Sequence, residues 1–191
     1  MIAIFVAELT DKDAFLLLSL ATRIRRWVVF AAGSIAFTIT SAIIVTVGYF
    51  LVSFVPVSLI SIAGGSVMIA YGIWSFFKAK KEELMSAERK LSRDASKSLR
   101  AVFLSVVSLL VLLDLSGDAT EVLTILFVAR FQNALLVFVG AVVALIADTA
   151  LETLVGNQLS KILSSKRIRI FSLFVFLTIG SAAILTALLH L

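Results

Sequence analysis

Eight carboxylates sit where apolar surroundings make them expensive to keep. Glu8, Asp11, Asp13, Asp114, Asp118, Glu121, Asp148 and Glu152 fall inside long apolar stretches, and the other four of the 12 acidic residues lie between Lys78 and Arg100. On a helix, Asp114, Asp118 and Glu121 are spaced i, i+4, i+7 and share one stripe, which Thr124 continues. Glu8 and Asp11 are i, i+3 neighbours, with Lys12 at i+4 from Glu8; Asp148 and Glu152 are an i, i+4 pair; Asp13 points away from Glu8. A charged side chain at the centre of a bilayer costs about 2.5–3.5 kcal/mol on insertion scales, so eight of them imply a compensating cation or proton.

Such groups suit a hard cation. Carboxylates with hydroxyls and carbonyls bind Ca²⁺, Mn²⁺ or Mg²⁺, whereas Zn²⁺ or Cu⁺ would recruit Cys, His or Met. The chain has no Cys, three Met and one His, His190, which reads as a solvated chain end. Carboxylates crowded together in a low dielectric take up either a cation or protons, which is the basis of an exchange reaction. The carboxylates with the strongest functional reading are Glu8, Asp11 and Asp118, then Asp114 and Glu121, with Asp148, Glu152 and Thr124 as candidates for a proton or ion pathway. No catalytic residue and no cofactor is expected; the divalent cation is the substrate. The plainer alternatives are that Lys12 neutralises Glu8, that Asp148 and Glu152 hydrogen-bond hydroxyls across helices, and that Glu152 is solvated at the cytoplasmic interface.

The elements that position these groups follow from composition. The chain is 61% hydrophobic with a mean hydropathy of +1.12, too apolar to furnish the polar exterior of a soluble domain. Apolar runs near the roughly 20 residues that cross hydrocarbon predict helices at 2–22, 27–53, 57–77, 101–130, 134–156 and 169–190. The expectation is an all-α integral membrane protein. The first run lacks a basic leader and is interrupted by charge, so it does not read as a signal peptide; few residues precede Glu8, which leaves room for an upstream extension. Pro56, the only proline, falls between the second and third runs, where it can end a helix without kinking a span.

Fifteen of the 17 basic residues lie in the first, third and fifth connections: Arg23 to Arg26, Lys78 to Arg100, and Lys161 to Arg169. The positive-inside rule places these loops in the cytoplasm and both termini outside. The segment 78–100 reads as a solvated linker, with a regulatory or lipid-contacting role as the alternative. Because the basic residues belong to short loops between spans, they do not call for nucleic acid.

The halves also echo each other. A shift of 107 positions lays Asp11 on Asp118, Arg23 on Arg130 and Gly33 on Gly140. With three spans per half the second copy must enter from the opposite side, an inverted repeat of the kind common in secondary transporters. The expected organisation is a first three-helix repeat at 1–77, a charged linker at 78–100 and a second three-helix repeat at 101–191.

The stretch Glu8-Leu9-Thr10-Asp11-Lys12-Asp13, followed by Ala21-Thr22-Arg23, resembles the E-x-G-D-(K/R)-(S/T) signature of the cation/proton exchanger family that includes the Golgi manganese and calcium transporters. A second copy stands at Ser116-Gly117-Asp118-Ala119-Thr120, followed by Val128-Ala129-Arg130. The resemblance covers the whole chain in layout and two short stretches in detail. Thr10 replaces the first glycine and Asp13 the hydroxyl residue; Leu115 stands at the second glutamate position, with Asp114 one residue earlier, and Ala119 replaces the basic residue. The resemblance implies that Glu8, Asp11 and Asp118 are cation ligands, while Asp114 and Glu121 are added from helical spacing. The wider lysine-exporter-like superfamily of amino-acid and metal exporters shares the six-helix plan, and Asp13-Ala14-Phe15 is similar to its bacterial manganese exporters.

Together these readings predict a cell-membrane transporter that exchanges Ca²⁺ or Mn²⁺ for protons by alternating access. Its partners would be the cation, protons and the bilayer, and homo-oligomerisation stays open. An exporter of another metal or of a basic amino acid would need an anchor for the substrate carboxylate, and a passive channel would lack proton coupling. An intramembrane enzyme would be confined to aspartyl chemistry, since no internal His is present, and a purely structural subunit leaves the carboxylates unexplained.

Overall fold

A computed structural model of the chain describes residues 2–9, 12–77, 99–115, 117, 119–162 and 165–189. All regular structure in them is helical: α1 (Ile2–Leu9), α2 (Lys12–Arg23), α3 (Arg26–Phe54), α4 (Val57–Phe77), α5 (Leu99–Asp114), α6 (Ala119–Phe131), α7 (Ala134–Ile162) and α8 (Ser165–Leu189). Most of the linker expected at 78–100, together with Asp11, Asp118 and His190, lies outside the described residues.

Four helical stretches are long and apolar enough to cross a membrane: Arg26–Phe54, Val57–Trp74, Ala134–Leu154 and Ile170–Leu189. They match the second, third, fifth and sixth expected spans within a few residues. The other two expected spans are not single helices. The run at 2–22 is divided into α1 and α2, and the run at 101–130 into α5 and α6, whose axes bend by 66°. Counted as one broken span, that bent pair gives a fifth crossing. The first division falls at Thr10 and Asp11, outside the described residues; the second falls where polar residues interrupt the apolar run. At the second, Gly117 has φ +94°, a left-handed conformation that only glycine adopts readily. A Cβ there would meet nothing within 4 Å, so conformation rather than space demands the glycine.

Two tight reversals join long helices. Val55, held extended at φ −119° and ψ 131°, precedes Pro56, whose ring disfavours helical geometry in its predecessor; α4 starts immediately after. Between α6 and α7, Gln132 occupies the left-handed region at φ 50°. Its N–H donates to the Val128 carbonyl at 2.9 Å, and the Asn133 side chain then caps α7 by accepting the Leu136 N–H at 3.0 Å.

The interior packs Ile4, Leu16, Leu17, Phe37, Met68, Leu110, Leu123 and Phe176 into one apolar cluster. α3 lies against α5, α6 and α7, while α4 runs along α8. The α4–α8 crossing is close enough that a Cβ on Gly65 would lie 2.6 Å from the Gly180 carbonyl oxygen. The exterior is also apolar, with Phe50, Leu104, Leu135 and Phe174 exposed, as a lipid-facing surface must be. Hydroxyls on that surface are satisfied within their own helices: Thr46, Ser66, Thr178 and Ser181 each donate to the carbonyl four residues back. This answers the absence of water in hydrocarbon. Trp27 and Phe77 near basic connections, and Phe54 and Phe131 at the opposite helix ends, are exposed, the placement of aromatic belts.

Candidate functional site

The end of α1 and the start of α6 bring the halves of the chain together. Glu8 sits in the last turn of α1 and is 2% exposed; Thr120 sits in the first turn of α6 and is 3% exposed. The Thr120 hydroxyl donates to Glu8 Oε2 at 2.9 Å, across 112 positions of sequence. Unlike the lipid-facing hydroxyls, Thr120 reaches another helix. Its backbone carbonyl in turn accepts the Thr124 hydroxyl at 2.8 Å, so Thr124, also buried, stacks one turn further along α6.

The other expected ligands divide. Asp114 closes α5 and is buried, whereas Leu115, at the second motif's glutamate position, is 38% exposed. The displaced carboxylate therefore occupies the interior, and the residue at the motif position does not. Glu121 is partly buried in the first turn of α6. A carboxylate in a first turn also complements the helix dipole, as Arg130 does in the last turn of α6, so Glu121 has a structural reason to be where it is. The expected single stripe of Asp114, Asp118 and Glu121 does not form. α5 ends at Asp114 and α6 begins at Ala119, so the i+4, i+7 register is lost at the break. Asp11 and Asp118 lie outside the described residues, as do the side chains of Lys12 and Asp13. Among the described residues, no three acidic side chains converge as a metal centre would require.

A second polar group lies on α7. Asp148 is 0% and Glu152 2% exposed, and they stand one turn apart on α7. Thr149 and Thr153 are buried beside them, donating to the Leu145 and Thr149 carbonyls at 2.7 and 2.6 Å. α3 approaches this face at Gly33, where a Cβ would lie 2.9 Å from Thr149 Cγ2. Both carboxyls thus face the protein interior, and Glu152 is not solvated at an interface.

Sequence reasoning missed Thr120 as a contact of Glu8, although it fills the hydroxyl position of the second motif. It also missed Thr149 and Thr153, an i, i+4 pair that runs beside the α7 carboxylates and is buried with them.

Chemically, the break gathers a buried carboxylate and hydroxyls at helix ends. The C-terminal end of α5 carries partial negative charge, and the groups gathered here are oxygen donors, which suit a hard cation. No curated protein and no solved structure gave a significant match to the chain. The model of the family described as divalent cation/proton antiporter GDT1 matches residues 1–83 and 102–190. That coverage spans most of the sequence, and with the membrane-length helices it makes the chain a multi-pass membrane transporter rather than an enzyme. The chain belongs to the GDT1 family of divalent cation/proton antiporters.

Proposed function

We propose that this antiporter moves Ca²⁺ or Mn²⁺ out of the cytoplasm in exchange for protons, through a site where the two broken helices meet. Glu8, Asp11, Asp114 and Asp118 bind the ion there, Glu121 lies close by as ligand or proton carrier, and Asp148, Glu152 and Thr124 line the path. The observation that carries this reading is the buried Thr120–Glu8 hydrogen bond, which joins the first motif to the second.

On this reading the chain has six spans, two of them broken, arranged as inverted three-helix repeats at 1–77 and 101–191 around the linker 78–100. Element boundaries support it: α2 begins at Lys12 and α6 at Ala119, 107 positions apart, and α3 and α7 have 29 residues each. Helix pairing supports it too. Exchanging the halves maps α3–α7 and α4–α8 onto themselves, α2–α3 onto α6–α7, α3–α5 onto α1–α7, and α3–α6 onto α2–α7, all of which are in contact. The two stretches matched by the family model, 1–83 and 102–190, leave out most of the linker. The basic connections face the cytoplasm and both termini face outside. Broken helices at the repeat interface are where secondary transporters hold their ions.

The test is metal-driven proton movement in proteoliposomes, with Ca²⁺, Mn²⁺ and Mg²⁺ presented separately to wild type and Asp118→Asn. Ca²⁺ or Mn²⁺ is expected to drive protons in the wild type and not in the variant. A folded variant that exchanges at the wild-type rate would remove Asp118 from the site, and a response to Mg²⁺ alone would overturn the ion assignment.

Thr120 offers a finer probe. Thr120→Val keeps the shape and loses the hydroxyl, at a stability cost of about 0.6 kcal/mol, the average for a hydrogen bond between membrane helices. The KM for the cation is expected to rise about tenfold, equivalent to roughly 1.4 kcal/mol of binding, while Thr120→Ser stays near wild type. An unchanged KM in the valine variant would mean that the bond plays no part in binding.

A further inference from the structure

The α7 carboxyls differ from the residues at the helix breaks in what surrounds them. Asp148 is entirely buried, and neither of its oxygens receives a hydrogen bond from an N–H or O–H group of the described residues. The hydroxyls best placed by sequence, Thr149 and Thr153, are directed to backbone carbonyls instead. The side chain one turn along the same face of α7 is another buried carboxyl, Glu152.

Among the described residues, the packed neighbours offer little charge. α3, which crosses this face at Gly33, has Arg26 at its start as its sole charged residue. α1 contributes Glu8, already accepting from Thr120, and α6 contributes the partly buried Glu121 and the exposed Arg130 at its far end. From α2, Leu17 lies 3.3 Å from a Cβ built on Gly33; the side chains of Lys12, Asp13 and Arg23 on that helix lie outside the described residues. A buried carboxylate needs a partner charge or a proton. Two carboxyls hydrogen-bond to each other only when one of them carries a proton, because ionised carboxylates are acceptors alone.

We propose that Asp148 and Glu152 form a proton-binding site separate from the cation site, holding one proton between two carboxyls, and that this is the proton the exchange cycle carries. The separation rests on the reading above that the cation binds at the helix breaks. The step makes and breaks O–H bonds only: the proton comes from water on one side, is held in an O–H···O bond, and returns to water on the other. The position suits the task. Asp148 lies about 9 Å along the axis from Leu154, the end of the apolar stretch nearest the connection to α8, so protons have a short approach from that side. Gly33 lets α3 pack closely on Thr149, the residue next to Asp148.

The experiment uses the reconstituted full chain with Asp148→Asn, Glu152→Gln and Glu8→Gln, each shown to be monodisperse. Two transport readouts are compared: isotope counterflow of Mn²⁺ or Ca²⁺ against the same ion, which needs no proton, and metal-driven proton movement reported by a pH dye. Asp148→Asn and Glu152→Gln are expected to retain counterflow and lose proton movement. An infrared carbonyl band from a protonated carboxyl, present in wild type and absent in Asp148→Asn, provides a readout independent of transport. Unchanged proton movement per ion in both α7 variants would overturn the proposal, as would loss of counterflow and metal binding in both, which would put the pair inside the cation site. Glu8→Gln separates the two readings. If it keeps counterflow, the cation-site reading falls, and the proton readout of the α7 variants still decides the pair.

Discussion

Glu8→Gln abolishes metal-driven proton exchange, lowering its rate by about 100-fold or more, beyond the 10–100-fold that loss of an outer partner of a metal site typically costs. The substitution is nearly isosteric, and the amide keeps an oxygen able to accept the Thr120 hydroxyl, so the buried contact at 2.9 Å can persist. What disappears is the negative charge at the last turn of α1, in a position only 2% exposed. A divalent cation leaving water must be repaid by fixed charge in a medium that screens poorly, and a neutral amide does not supply it. Initial rates in proteoliposomes, alongside thermal unfolding of the same preparation, decide the matter. A folded variant with more than a small residue of wild-type exchange would exclude Glu8 as a ligand.

Gly65→Val produces the largest expected loss of folded protein. A Cβ at position 65 would stand 2.6 Å from the Gly180 carbonyl oxygen and 2.8 Å from Ile184 Cγ1; reciprocally, a Cβ on Gly180 would stand 2.6 Å from the Gly65 carbonyl oxygen. Backbone cannot rotate aside, so the helices must separate along the α4–α8 contact. In lipid, helices are held by close packing rather than by the hydrophobic effect, and overpacking costs about 1–3 kcal/mol or more. The thermal midpoint in detergent should fall and most of the protein should aggregate. Gly64→Ala serves as the comparison, since its nearest neighbour, at 2.8 Å, is the end of the flexible Leu126 side chain. Equal stability of Gly65→Val and wild type would mean that the crossing is not as close as described.

These two residues show what could and could not be read from sequence. Glu8 was conspicuous because a carboxylate in an apolar run has no cheap explanation, and the long helices announced themselves by apolar length. Gly65 was silent, because glycine in a span looks the same whether it faces a backbone or lipid. The helix breaks were hidden for a related reason: interruptions of a few residues leave the surrounding run apolar, and a continuous register was assumed from Asp114 to Glu121 where the chain turns. The inward face of α7 was equally hard to see. Core and lipid are both apolar, so the helix has no polar side to set against a buried one, and the direction of Asp148 and Glu152 emerges only from packing. Thr120 was in plain view within the second motif, but its contact with Glu8 depends on the fold bringing distant halves together.

The length of α3 couples the protein to its surroundings in another way. Its 29 uninterrupted residues extend roughly 43 Å at 1.5 Å per residue, against a hydrocarbon layer of about 30 Å. An apolar helix longer than the layer tilts or thickens the lipid around it. α3 is the element that touches α5, α6 and α7 together, so a change in its tilt is transmitted to the second helix break and to the face carrying Asp148. Membrane thickness thereby becomes a variable acting on exchange, and reconstitution into lipids of graded chain length should alter turnover without any change in the protein.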